Sequence, residues 1–383
     1  MDRLELSAWL RLLSTPGIGN ASARRLLAAF GLPVQVFSQE EAALASVVSA
    51  NQVQALRVPS ATLAALLGQT WEWLEADPAY RRVLTLGDPL YPQSLLQIED
   101  PPLMLYAMGP PWVWSGNLLN SAASRCLAIV GSRNPSAQGA SNARQFAHNL
   151  ASAGLTIVSG MALGIDGAAH EGALAGAAEE SLATIAVVGT GLDRVYPRQH
   201  RDLAHRIALR GVVLSELALG TAPLPANFPQ RNRIISGLSR GTLVVEAALQ
   251  SGSLITASMA IEQGREVFAI PGSIHAAQSR GCHALLKQGA KLVESAQDVL
   301  EELQWGGDTT APNPTQVSVH TTHSRAPESP LLQALGHDPA NVDDLQARTG
   351  LPTDQLLAQL MTLELQGDVA RLPGGLFQRV SQA

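Results

Sequence analysis

Apolar residues change their period twice along the chain. Over residues 4–70 they recur at helical spacing, with Leu6, Trp9, Leu10 and Leu13 on one face and Leu26, Leu27 and Phe30 on a later one. Between 80 and 305, short unbroken runs of Val, Ile, Leu and Ala take over, the clearest at 127–130, 156–158, 184–188, 212–214, 243–245 and 267–270. Runs without polar alternation mark strands buried on both faces, and hence a largely parallel sheet. Helical patterns at 137–153, 164–177, 198–210, 253–263 and 295–303 punctuate them. Together they predict a doubly wound α/β domain covered by helices on both faces.

The ends of the chain read differently. Residues 306–327 are polar and rich in Pro and Thr, as a linker would be. After them come helical stretches at 331–335, 342–348 and 353–365, then a hairpin of 369–372 and 376–380 around Pro373-Gly374-Gly375. Helix-turn-helix followed by a hairpin predicts a winged-helix module. The expected organisation is a helical region at 1–78, an α/β domain at 79–305, a linker at 306–327 and a winged helix at 328–383.

Composition narrows the setting. The 383 residues are 46% hydrophobic, and no apolar run approaches the roughly 18–20 residues of a membrane span. Cys126 and Cys282 are too few for a disulfide framework, and the mixed charges of Met1–Glu5 are unlike a secretory signal. A cytoplasmic protein is expected. The net charge of −6 hides a local bias, since eleven arginines face seven acids between Arg125 and Arg240. That pattern suggests a confined anion site rather than diffuse binding.

Candidate chemistry lies in the loops that follow the predicted strands, the edge where open parallel sheets bind ligands. Gly131-Ser132-Arg133-Asn134-Pro135-Ser136 combines close backbone approach, hydroxyls and a cation, with a helix N-terminus behind it. Ser159, Gly160, Gly164 and Asp166 belong to a second such loop, and Ser251-Gly252-Ser253 opens a third helix. Phe228-Pro229-Gln230-Arg231-Asn232-Arg233, read as a loop before the apolar pair Ile234–Ile235, is the most informative stretch. It offers a ring for a base, planar cations for phosphates and an amide for hydrogen bonds. Arginines in such a place also pair with carboxylates, so the loop alone leaves both readings open. Thr15-Pro16-Gly17-Ile18-Gly19-Asn20, between two N-terminal helices, is either a phosphate-facing hairpin or, more simply, a tight turn with Ile18 in the core and Asn20 as a cap.

Enzyme templates fit poorly. There is no G-x-x-x-x-G-K-[ST] loop; Gly189-Thr190-Gly191 has Arg194 where a dinucleotide turn needs its third glycine; and His170-Glu171 lacks the second histidine of H-E-x-x-H, with Leu174 in its place. No catalytic residue, metal or cofactor is expected.

These residues resemble the DprA/Smf family of DNA-processing proteins of natural transformation. The resemblance is carried in order by A-I-V-G-S-R at 128–133, S-G-M-A-L-G-I-D-G-A-A-H at 159–170, V-G-T-G-L-D-R-V-Y-P at 188–197, L-S-E at 214–216, F-P-Q-R-N-R-I-I at 228–235, E-A-A-L-Q-S-G-S-L-I-T-A at 246–257 and F-A-I-P-G at 268–272. It implies an extended Rossmann domain between a SAM or helix-hairpin-helix-like region and a winged helix. It further implies a homodimer that binds single-stranded DNA, loads RecA onto it and displaces single-strand-binding protein. By motif, Arg133, Arg231 and Arg233 would bind phosphates, Phe228 would stack on a base, and Ser132, Ser159, Gly160 and Ser253 would line the backbone path.

The sequence departs from the family at Gly281-Cys282-His283, where Gly-x-Asn is usual, and at Pro225, where a relative has lysine. The helix 352–366 lacks Lys and Arg, so the winged helix is expected to meet protein rather than duplex DNA. The competing reading is a nucleoside-monophosphate phosphoribohydrolase; Thr256 stands where its glutamate belongs, and Glu246 would be a poor substitute.

Overall fold

The computed structural model describes residues 1–121, 124–305, 329–336, 339–372 and 374–380. The expected linker at 306–327 and the hairpin residue Pro373 lie outside them. Among the described residues, no helix is long and apolar enough to cross a membrane.

One nine-stranded sheet organises the central region. Its strands are β1 (Arg81–Thr85), β2 (Met104–Met108), β3 (Cys126–Val130), β4 (Thr156–Ser159), β5 (Thr184–Val187), β6 (Val212–Ser215), β7 (Gly241–Val244), β8 (Glu266–Ala269) and β9 (Lys291–Leu292). They lie in the order β1-β2-β6-β5-β4-β3-β7-β8-β9. β3 to β9 pair in parallel, while β2 joins β6, and β1 joins β2, antiparallel. The six strands legible in the sequence are β3 to β8, and the mainly parallel doubly wound sheet is as predicted. β1, β2 and β9 went unread. β1 begins with Arg81-Arg82, β2 has no β-branched residue, and β9 has only two residues.

Successive strands step outward from β3 to β6, and the chain then returns to lay β7 on the other side of β3. That reversal opens a crevice at the carboxyl ends of β3 and β7. One sheet face is covered by Ala137–Ser152 and Ile165–Gly176, which pack Ala143, Phe146, Ala147, Leu150 and Ala169 against Leu127, Ile129 and Leu243. The other is covered by Asn227–Leu238, Gly252–Glu262 and Arg280–Lys287, whose Ile234, Ile235, Leu238, Ala257 and Leu285 pack against Ala128, Val130 and Val244.

Before β1, six helices between Arg3 and Ala76 bury Leu6, Trp9, Leu10 and Leu26 in a shared core. Ile18 is buried there too, so the 17–19 glycine hairpin is a tight turn. Asn20 does not cap the helix it opens, because Gly19 holds the cap position; its amide instead reaches Asp100 and Glu216.

The C-terminal module has helices Pro330–Leu335, Val342–Thr349 and Thr353–Gln366 and a hairpin of β10 (Val369–Leu372) and β11 (Leu376–Arg379). Leu331, Leu335, Leu345, Leu356, Leu360 and Phe377 fill its core, completing the expected winged helix.

Candidate nucleic-acid interface

The stretch 228–233 is not a loop. It forms the first two turns of the helix Asn227–Leu238. Pro229 stands at the third helical position, where its missing N–H is no loss. Arg231, Ile234, Ile235 and Leu238 are all buried, at the i, i+3, i+4 and i+7 spacing of one helix face. Ile234–Ile235, read in the sequence as an apolar pair after a loop, continues this helix instead.

The carboxyl-end loops converge beside this helix in a cleft of about 620 Å³. Its walls carry Gly131, Ser132 and Arg133 after β3, Ala162 and Asp166 after β4, Tyr196 after β5, Phe228, Arg231 and Asn232 of the helix, and Gly252 and Ser253 after β7. Phe228 is the central plate. The guanidinium carbon of Arg133 lies 5.4 Å from its ring centre and that of Arg231 lies 5.9 Å from it. Tyr196 adds a second ring, 5.9 Å away and tilted by 39°. At 44% exposed, Tyr196 is available to solvent. Sequence reasoning passed over it, although an aromatic residue in a carboxyl-end loop is a usable signal.

Arg231 is the unusual member. It is only 7% exposed, its Nε has no hydrogen-bond partner, and no hydrogen bond or ion pair closes on its guanidinium among the described residues. Burial pushes its pKa down to about 10, against the pull of nearby Asp166 and with a smaller push from Arg133. It therefore stays charged at neutral pH. Gly160 makes its place, since a Cβ there would overlap Nη1. Asp166 is buried as well; burial raises its carboxyl pKa, opposed by Arg231 and by the amides of Ala162 and Gly160. A buried cation without hydrogen bonds is costly unless something outside supplies an anion.

Other expected residues play supporting parts. Ser132 donates its N–H to the Glu246 carbonyl at 2.7 Å. The Glu246 carboxylate accepts from the amide and hydroxyl of Ser136, so the helix N-terminus behind Arg133 is already occupied by an anion of the chain itself. Ser159 is fully buried and donates to the Ile129 carbonyl at 2.6 Å, which turns it away from the cleft. Gly164 does not line the cleft either. At φ +81° it packs against the Ser132 and Arg133 carbonyls, where a side chain would collide. Ser253 pairs with Ser251 at 2.7 Å, and Asn232 reaches the Gly252 carbonyl at 3.4 Å. His170 is a core histidine held by Thr184 at 2.7 Å.

Arg233 departs from its expected place. Positions i and i+2 point about 200° apart around a helix, so Arg231 and Arg233 cannot face one crevice. Arg233 instead bonds to Glu216 at 2.7 and 2.8 Å and to Asp100 at 3.1 Å, and its side chain is 13% exposed. Burial lowers its pKa, but these carboxylates more than offset that and hold it above its ordinary value. With Asn20 and Arg24, which also bind Asp100, it ties the N-terminal helices to the sheet. His283 faces the Gly272 carbonyl at 3.0 Å, outside the cleft, whereas Pro225 lies on the cleft wall and brings no charge.

A doubly wound sheet with an arginine- and aromatic-lined cleft at its switch point, joined to a winged helix, defines an extended Rossmann protein. Residues 82–304 match the family described as DNA recombination-mediator protein A, and residues 312–375 match the DprA winged helix domain. The chain belongs to this DprA/Smf family. It is 43% identical over 306 residues to Protein Smf of Escherichia coli, spanning 79% of this chain and 78% of that one. It is 47% identical over 218 residues to DNA processing protein DprA of Streptococcus pneumoniae, spanning 57% of this chain and 73% of that one. The X-ray structure of DNA processing protein A from Streptococcus pneumoniae superposes with a TM-score of 0.64 at 36% identity, over 79% of this chain and 98% of that one. The Helicobacter pylori protein, whose structure describes a single-stranded DNA binding mode, gives 0.50 at 29% identity, over 58% of this chain and 95% of that one.

Proposed function

We propose that the cleft binds single-stranded DNA with little regard to sequence, and that the protein acts without catalysis. The observation that carries this reading is the bare, buried guanidinium of Arg231 beside an aromatic plate and an exposed Arg133. Phosphates supply the missing anion, and bases supply partners for Phe228 and Tyr196. The phosphoribohydrolase alternative finds little support, since Glu246 is engaged by Ser136 and Thr256 is buried.

Phe228→Ala is expected to weaken binding to oligo-dT, oligo-dA and oligo-dC alike, by about 1–3 kcal/mol for each base unstacked. Fluorescence anisotropy reads this directly. Unchanged affinity for all three would remove the cleft from consideration.

The wider role proposed here is that of a cytoplasmic homodimer which protects incoming DNA during natural transformation, displaces single-strand-binding protein and loads RecA. Support comes from membership of the recombination-mediator family and from similarity to the DNA processing protein of Streptococcus pneumoniae. RecA filament formation on a strand coated with single-strand-binding protein tests it; no acceleration by this protein would refute it. The winged helix is proposed to meet protein. Helix Thr353–Gln366 exposes Leu357, Met361 and Leu365 at i, i+4 and i+8, a stripe suited to apolar contact. A gel shift of duplex DNA that depended on this helix would contradict that role.

A further inference from the structure

Past Tyr196 the chain leaves the cleft and borders a second groove, of about 710 Å³, lying between helix Arg201–Arg210 and the start of β1. Arg194, Arg198 and Arg201 stand along it, all exposed. Arg194 is held by Asp193 at 2.9 Å. Arg81, at the far wall, is engaged by the Trp73 carbonyl and ring. The guanidinium groups of Arg198 and Arg201 have no hydrogen bond or ion pair among the described residues. The acids that border the groove are Asp77 and Asp193, so cations are in excess there, in a chain whose net charge is −6.

The placement of these cations is not what folding favours. Arg198, His200 and Arg201 crowd the N-terminal end of a ten-residue helix, with Asp202 the acid of its first turn. Backbone N–H groups already make that end positive, and acids are the stabilising residues there. The cations and the helix end therefore add into one positive field, which an anion outside the chain would relieve. The groove and the cleft meet along the chain at Tyr196. Tyr196 lines the cleft, while Arg194, Val195 and Arg198 on either side of it line the groove.

We propose that this groove carries the phosphate backbone of a single strand as it leaves the cleft, so that the binding site runs from Phe228 across Tyr196 to Arg198 and Arg201. The inference rests on the single-strand reading of the cleft and extends it. Repeating phosphates suit spaced, unpaired guanidiniums, and the aromatic pair sets the point where the strand enters the groove.

The test uses the full chain and the double variant Arg198→Gln/Arg201→Gln, titrated with oligo-dT of about 6 and about 25 nucleotides at several salt concentrations. Expected is a loss of about tenfold for the long strand and none for the short one. The long-strand plot of log affinity against log salt should become shallower by about 1.4, the release from two phosphates. An equal loss at both lengths, or no loss at the longer, would overturn the groove. Phe228→Ala serves as the separate arm. If it weakens both lengths while the double variant behaves as the parent, the cleft stands and the extension falls. If it weakens neither, the reading of the cleft itself falls.

Discussion

Arg231→Met is expected to make the protein more stable and a poorer binder of single-stranded DNA. The two effects separate because burial works against this cation. Lowering its pKa to about 10 corresponds to a penalty on the order of 3 kcal/mol on the charged form. Methionine keeps most of the volume beneath Phe228 and carries no charge to desolvate. Replacing buried charge by well-packed apolar groups is often neutral or stabilising by about 1–4 kcal/mol. Binding should move the other way, because charge-assisted hydrogen bonds to phosphate vanish. A loss of about 2–3 kcal/mol, roughly 30- to 150-fold, is expected in oligo-dT affinity. Urea denaturation and anisotropy read the two quantities. Lower stability with unchanged affinity would make Arg231 a structural residue.

Arg233→Ala should give the mirror image. Its partners Glu216 and Asp100 would be left facing each other, with Asn20 and Arg24 as their remaining contacts. Breaking a buried pair costs about 3–5 kcal/mol. Because the Asp100 side chain is 45% exposed, a loss near the lower end of that range is expected. Affinity for oligo-dT should change by less than about twofold, since the side chain points away from the cleft. A large loss of binding without loss of stability would return Arg233 to the DNA path. The N-terminal helices should loosen first, and hydrogen exchange over Asn20–Phe30 would register it.

These two arginines show where the sequence was informative and where it was not. The runs of Val, Ile and Leu that became β3 to β8 were legible because strands buried on both faces have no polar alternation to confuse them. Parallel topology then placed the loops after β3, β4 and β7 at one edge without further information. The winged helix was legible from its helix and turn pattern.

The F-P-Q-R-N-R segment was misread because Pro229 and Asn232 suggest a loop, whereas a proline in the first turn is compatible with a helix start. Once the segment is helical, geometry sends Arg231 and Arg233 to different sides. The carboxylates that hold Arg233 lie 17 and 133 residues away in the chain, and no local pattern predicts such a meeting. Likewise, the helix end behind Arg133 looked free for a phosphate, but Glu246, 110 residues distant, fills it. Short-range pattern fixed the elements; long-range pairing decided which polar groups were left for a ligand.

The most direct measurement is a crystal structure of the protein with a short oligo-dT. The account predicts a phosphate oxygen within about 3 Å of the Arg231 guanidinium and a thymine ring lying on Phe228. DNA bound elsewhere, with the Arg231 guanidinium turned inward onto Asp166, would contradict it.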